Sequence, residues 1–263
     1  MHFAKMQGLG NDYIYVLGEV PENASLMSIK LSDRHFGIGS DGMVFITSSE
    51  IADFGMRIFN SDGSEAKMCG NGIRCVGKFV YDNRLTEKTV INVETLSGVK
   101  ALHLFAENGK VRRVSVEMGK ACVGEEITLT ACGNEFNLTP VSVGNPHAVI
   151  FGNEFSTEAV TAIGPKIEKH SLFPEGVNTE FISVLGKNKL RMRVWERGSG
   201  LTLACGTGAC ASAAAAVKKG LCDLNEDIEV ILDGGPLTVR IAEDGSVTMT
   251  GEAQTVFTGE VEI

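Results

Sequence analysis

Short apolar or alternating runs, each closed by turn residues, recur along the whole chain and predict strands. In the first half they cover Asp12–Leu17, Gly42–Thr47, Phe54–Phe59, Thr89–Val93, Val99–Ala106 and Val111–Met118. In the second they cover Val141–Phe151, Thr179–Leu185, Lys189–Glu196, Ile228–Leu232, Leu237–Ala242 and Ser246–Thr250, with a final strand pair over Gln254–Ile263 that returns to the first half. Helical patterns are fewer: Ala24–Arg34, Gly72–Asn83, Thr157–Lys169 and Gly208–Lys219. Within the last of these, Ala211–Val217 is small and apolar on nearly every side, which predicts a helix buried at the centre of its half.

The two halves repeat. Cys69-Gly70-Asn71-Gly72 and Cys205-Gly206-Thr207-Gly208 lie 136 residues apart (205 − 69). Met56-Arg57-Ile58-Phe59-Asn60 precedes the first and Met192-Arg193-Val194-Trp195-Glu196 precedes the second, at the same offset. Near the start the offset drifts by two, because Gly10-Asn11 lies 134 before Gly144-Asn145. A constant offset over most of each half is a duplicated unit rather than a solenoid repeat. The expected architecture is therefore α+β. Two pseudo-symmetric lobes each wrap a mostly antiparallel, barrel-like sheet on a central helix, with the active site in the cleft between them. The boundary is expected near Met118-Gly119, giving one lobe of residues 1–118 plus about 252–263 and another of 119–251.

Composition narrows the function. The chain has 263 residues and a formal net charge of −9, which disfavours nucleic acid or an anionic membrane as partner. No apolar run approaches the ~18 residues of a spanning helix. No signal peptide is read at the start, so the expected compartment is the cytoplasm. Seven cysteines without the dense spacing of a disulfide scaffold fit a reducing compartment.

Two of those cysteines carry the chemistry. Cys69 and Cys205 each stand where a turn gives way to a helix, and the free amides and dipole of a helix start favour negative charge. A thiolate there is expected to have a lowered pKa. The amides of Gly70, Asn71, Gly206 and Thr207 are also placed to hold a carboxylate. With the two lobes related by a pseudo-twofold axis, one thiolate would take the α-proton of a small amino acid and the other thiol would deliver a proton to the opposite face. Amides aimed at the carboxylate would support the carbanion. Such a reaction needs no cofactor, and no metal site is expected, since no close pair of ligands accompanies either thiol. A redox disulfide and purely structural cysteines remain alternatives. The absence of Gly-Lys-Ser/Thr excludes a P-loop.

An ordered set of motifs spans nearly the whole chain: Met6-Gln7-Gly8-Leu9-Gly10-Asn11-Asp12, Gly37-Ile38-Gly39-Ser40-Asp41-Gly42, Arg57-Ile58-Phe59-Asn60, Met68-Cys69-Gly70-Asn71-Gly72-Ile73-Arg74-Cys75, Gly144-Asn145-Pro146-His147, Gly176-Val177-Asn178-Thr179, Glu196-Arg197 and Ala204-Cys205-Gly206-Thr207-Gly208. In these the sequence closely resembles the diaminopimelate epimerases. The resemblance implies interconversion of LL- and meso-2,6-diaminopimelate, in lysine and peptidoglycan precursor biosynthesis, by a cofactor-free cytoplasmic homodimer. It implies Cys69 and Cys205 as the acid–base pair, and His147 and Glu196 as residues that tune the thiols. It assigns substrate binding to Asn11, Asn60, Asn145, Asn178, Glu196 and Arg197. The chemistry agrees: an arginine fork suits the distal carboxylate and asparagine amides both donate and accept. One position departs, since some relatives carry Gln where this chain has Gly42. A proline or hydroxyproline racemase is the alternative, sharing the paired loops but needing no distal-carboxylate site. Two thiols flanking one carbon would also be able to close a disulfide under oxidation.

Overall fold

The computed structural model describes residues 1–262, and its contacts divide the chain into two compact units, Met1–Val116 with Gly251–Ile263, and Glu117–Thr250. The helices are α1 (Ala24–Ser32), α2 (Gly70–Asp82), α3 (Thr157–Glu168) and α4 (Gly206–Lys218).

In the first unit the strands pair in the spatial order Gln254–Glu260, His2–Gly8, Asn11–Leu17, Gly42–Thr47, Phe54–Asn60, Val90–Thr95, Gly98–Glu107 and Lys110–Lys120. Five of these seven pairings are antiparallel. The two parallel ones need crossovers, and α1 and α2 are those crossovers. The second unit has the same order: Ile127–Ala131, Asn134–Ser142, Pro146–Gly152, Asn178–Gly186, Lys189–Glu196, Asp227–Leu232, Gly235–Ile241 and Ser246–Glu252. Its parallel pairings are again bridged by helices, α3 and α4. The last strand of the chain thus fills in the first unit the place that Ile127–Ala131 fills in the second. The α+β class and the duplicated plan follow the sequence expectation.

Each sheet wraps one helix. Helix α2 buries Ile73, Cys75, Val76 and Val80, and Gly77 lets it approach the strand Gly98–Glu107, where an added Cβ would lie 2.8 Å from Leu104. Helix α4 achieves the same approach with alanine: Ala209 and Ala211 are fully buried, as are Ala213, Ala215 and Ala216. Small side chains bring the sheet backbone close on every side, and close packing then leaves few voids. The outer helix α1 covers a separate cluster that includes Phe3, Ile14, Met27, Met43, Phe45 and Phe59.

Three local expectations are corrected. Val141–Phe151 is not one strand but the facing ends of Asn134–Ser142 and Pro146–Gly152, folded back at Gly144, whose φ of +92° suits glycine. The strand Ile127–Ala131 was not expected. The C-terminal segment forms one strand, Gln254–Glu260, rather than a pair, and Ile263 lies outside the described residues. Among the described residues no helix is long and apolar enough to cross a membrane.

Candidate active site: two thiols at two helix starts

Cys69 is the N-cap of α2 and Cys205 the N-cap of α4. Both have extended backbone angles, φ −135° and −125°, so each sulfur leaves the chain at the last residue before the helix and beside its free amides. The Cys69 sulfur accepts from the Gly72 amide at 3.4 Å. All seven cysteines are free thiols. Among the described residues no group of three or more His, Cys, Asp or Glu side chains is arranged to hold a metal.

Around Cys69 the partners are amides. Its thiol donates to Asn11 Oδ1 at 3.3 Å, and Asn71 Nδ2 reaches the same oxygen at 3.4 Å. Asn11 is fixed from behind, donating to Asp41 Oδ2 at 2.7 Å, and Asp41 pairs with Arg34 at 2.9 Å. Arg74, fully buried, donates to Asn71 Oδ1 at 3.1 Å and to the Gly70 carbonyl at 3.3 Å. Tyr13 hydrogen-bonds Asn11 and Cys69, and burial and the neighbouring Cys69 push its hydroxyl pKa well up. Asn60 ends the strand Phe54–Asn60 and donates to Ser64 at 3.0 Å. Gly42 pairs with Tyr13 on the neighbouring strand, and a Cβ there would lie 2.2 Å from the Phe59 carbonyl. The missing side chain at that position is therefore a packing requirement of this chain.

Around Cys205 the partners are ionisable. Thr207 Oγ1 stands 3.6 Å from the sulfur and accepts from Asn145 Nδ2 at 3.3 Å. Asn145 Oδ1 faces His147 Nε2 at 3.0 Å, and His147 Nδ1 faces Glu180 Oε1 at 2.7 Å. Glu196 accepts from Thr202, and its pKa is raised by burial, with hydrogen bonds from Thr202 and Cys205 opposing the rise. The Cys205 thiol is pushed well above the ordinary thiol range, by burial first and then by the carboxylates of Glu196 and Glu180. This corrects the expectation of a lowered pKa. The helix amides are present, but desolvation and two nearby acids outweigh them.

Asn178 and Arg197 sit together beside this group. Asn178 Oδ1 accepts from the Arg197 amide at 3.0 Å, and Arg197 donates through Nη1 to the Glu175 carbonyl at 2.9 Å. Gly206 is the first residue of α4 and is buried.

Sequence reasoning passed over Glu180, Asp41 and Tyr13. The signal for Glu180 was a lone acid inside an apolar strand, two residues after Asn178 and so on the same face. Asp41 stands inside a marked motif that gave it no role, and Tyr13 adjoins another.

The sequence pattern of the diaminopimelate epimerase family matches residues 3–123 and 139–256. A diaminopimelate epimerase of Methanococcus maripaludis is 50% identical over 279 aligned positions, covering 100% of both chains. Another, of Bacteroides thetaiotaomicron, is 51% identical and covers 99% of this chain and 97% of its own. Solved structures carry the same fold at low identity. A phenazine biosynthesis protein of the PhzF family from Bacillus anthracis aligns at TM-score 0.79 and 17% identity over 100% of this chain and 99% of that one. A probable proline racemase from Agrobacterium radiobacter aligns at 0.74 and 16%, over 100% and 93%. Below 25% identity such likeness speaks for the fold alone, whereas half-identical relatives matched along their full length speak for descent, and on that evidence the chain belongs to the diaminopimelate epimerase family.

Proposed function

We propose that this chain interconverts LL- and meso-2,6-diaminopimelate, with Cys69 serving one face of the α-carbon and Cys205 the other. The observation that carries the reading is the duplicated thiol: each unit ends a turn on a cysteine that caps its central helix. In one direction a thiolate removes the α-proton and the opposite thiol donates its own, so atoms balance and the enzyme ends with the proton on the other sulfur. In the reverse direction the roles exchange.

The α-carbon is a weak acid, so the carbanion needs preorganised support. The free amides of Gly70, Asn71, Gly206 and Thr207 supply it by holding the α-carboxylate. Asn11, Asn60, Asn145, Asn178, Glu196 and Arg197 bind the rest of the substrate. The Arg197 fork takes the distal carboxylate, while amide oxygens and Glu196 take the distal ammonium. His147 and Glu196 tune the thiols. A homodimer in the cytoplasm, the form the family resemblance implies, belongs to this proposal, and sedimentation of the purified protein tests the assembly.

The deciding experiment incubates the protein with LL-diaminopimelate in deuterated water. The expected result is the meso isomer carrying deuterium at one α-carbon. Cys69→Ser and Cys205→Ser should each slow turnover by roughly 10²–10⁴. Undiminished turnover in either variant removes that thiol from the mechanism, and turnover of proline in place of diaminopimelate overturns the substrate assignment.

A further inference from the structure

Glu180 is fully buried in the strand Asn178–Gly186. Its Oε1 meets His147 Nδ1, and its Oε2 has no hydrogen-bond partner. A buried carboxylate oxygen without a partner is costly, and a fold retains one only where something else depends on it. The matching residue in the first unit, 136 earlier, is Val44, also fully buried. The fold itself therefore does not require an acid at this place.

From Glu180 the side chains run without a break to the thiol. His147, Asn145 and Thr207 follow, at 2.7, 3.0 and 3.3 Å, with the sulfur 3.6 Å beyond the threonine hydroxyl. Their donor and acceptor capacities fix where the hydrogens lie. Asn145 Nδ2 points at Thr207, so Asn145 Oδ1 points at His147 Nε2, and that nitrogen must carry a hydrogen. Glu180 faces the other ring nitrogen at 2.7 Å, and this contact holds the ring with Nε2 turned to Asn145. Thr207 Oγ1 accepts from Asn145, which leaves its own hydrogen free to point at Cys205.

We propose that Glu180 is a positioning residue for Cys205: it holds the His147 ring with Nε2 as the donor, and through Asn145 and Thr207 it aims a hydroxyl hydrogen at the Cys205 sulfur. The groups facing that sulfur are Glu196 from the strand Lys189–Glu196, Glu180 from its own strand, and Thr207 with the amides of α4. Burial and the two carboxylates hold the proton on, and the hydroxyl is the side chain that stabilises the sulfur once the proton has left. Without Glu180 the ring is free to carry its hydrogen on Nδ1, and a bare Nε2 then turns the Asn145 amide around, so that Thr207 spends its hydrogen on Asn145 Oδ1. The meaning of this for catalysis rests on the proposed function; the hydrogen-bond chain does not.

The test reads Cys205 directly. Alkylation of the whole protein by iodoacetamide is followed across pH, with Cys205 quantified by peptide mass spectrometry. In Glu180→Gln the midpoint should rise by about one pH unit, so alkylation below both midpoints is about tenfold slower. Thr207→Val should give a similar rise, and the double variant should move no further than either alone. Loss of a nearby negative charge acting alone would lower the midpoint instead. A fall, or no change, overturns the proposal, and so does a shift in thermal stability with the midpoint fixed.

Nitrogen-15 spectra of the histidines in the unmodified protein give a second reading that needs no variant to fold. His147 should show a hydrogen on Nε2, and a bare Nε2 refutes the chain. Inactivity toward diaminopimelate would sink the proposed function while leaving both measurements able to decide this one.

Discussion

The duplication supplies its own control for the packing at the Cys205 site. Gly72 and Gly208 are equivalent, each the third residue of a central helix and 136 apart. A Cβ on Gly72 would meet Met56 Cε at 3.3 Å and Cys69 Cβ at 3.4 Å. A Cβ on Gly208 would meet the equivalent atoms, Met192 Cε at 3.1 Å and Cys205 Cβ at 3.3 Å, but also Glu180 Oε1 at 2.7 Å. Alanine gains up to about 1 kcal/mol over glycine in a helix at both places. A methionine tip yields cheaply. The buried carboxylate does not, because opening 2.7 Å to an ordinary contact pulls it off His147. Overpacking of this kind costs about 1–3 kcal/mol, and a weakened hydrogen bond to a charged group about 1.5–3 kcal/mol. Gly72→Ala should therefore be neutral or slightly stabilising, and Gly208→Ala should destabilise by about 2 kcal/mol net. In urea unfolding, with slopes of about 1–3 kcal/mol/M, the two midpoints should separate by on the order of 1 M. Equal shifts in the two variants would refute the reasoning, because only the carboxylate distinguishes the sites.

Other predictions concern the same elements. Arg74→Ala leaves the Gly70 and Glu252 carbonyls and Asn71 Oδ1 without their donor, and should cost about 3–5 kcal/mol in equilibrium unfolding; a loss below 1 kcal/mol would contradict the contacts. Cys75 is fully buried and its pKa is raised to about 11, chiefly by burial. Because the folded value lies above the unfolded one, its contribution is complete below about pH 9 and is lost as pH climbs toward 11; that loss is about 3 kcal/mol, and Cys75→Ala should flatten the decline in stability over that window. Arg197→Ala should raise KM for diaminopimelate at least tenfold, and Arg197→Lys should recover little, because an ammonium lacks the planar fork; an unaltered KM would remove Arg197 from the distal site.

The legible part of this chain was periodic and local. Strands such as Gly42–Thr47 and Lys189–Glu196 have the predicted bounds, since a buried strand writes itself as an apolar run between turns. Of the Ala211–Val217 stretch, residues 211–216 are buried, as its all-round small apolar character implied, and Val217 is half-buried. What escaped depended on pairing. Asn134–Ser142 and Pro146–Gly152 read as one run because Val141, Val143 and Ala148 sustain the apolar pattern across the short turn at Gly144-Asn145-Pro146. Glu180 escaped because a single acid in a strand carries no spacing signal, and its partner His147 lies on a different strand, 33 residues earlier. The rise in the Cys205 pKa escaped for the same reason, since capping position can be read along the chain but the acids brought in from two other strands cannot.

Duplication has left two sites on one backbone with opposite electrostatics. The equivalents of Val44, Asn60 and Asn71 in the second unit are Glu180, Glu196 and Thr207. One cysteine caps its helix among amides held by Asp41 and Arg74, and the other caps its helix beneath two carboxylates. A buried thiol beside two acids keeps its proton at neutral pH. Placing acids at amide and apolar positions in one copy alone is what sets the Cys205 thiol apart. The buried Glu180, on a strand whose counterpart holds only valine, is the clearest trace of that divergence.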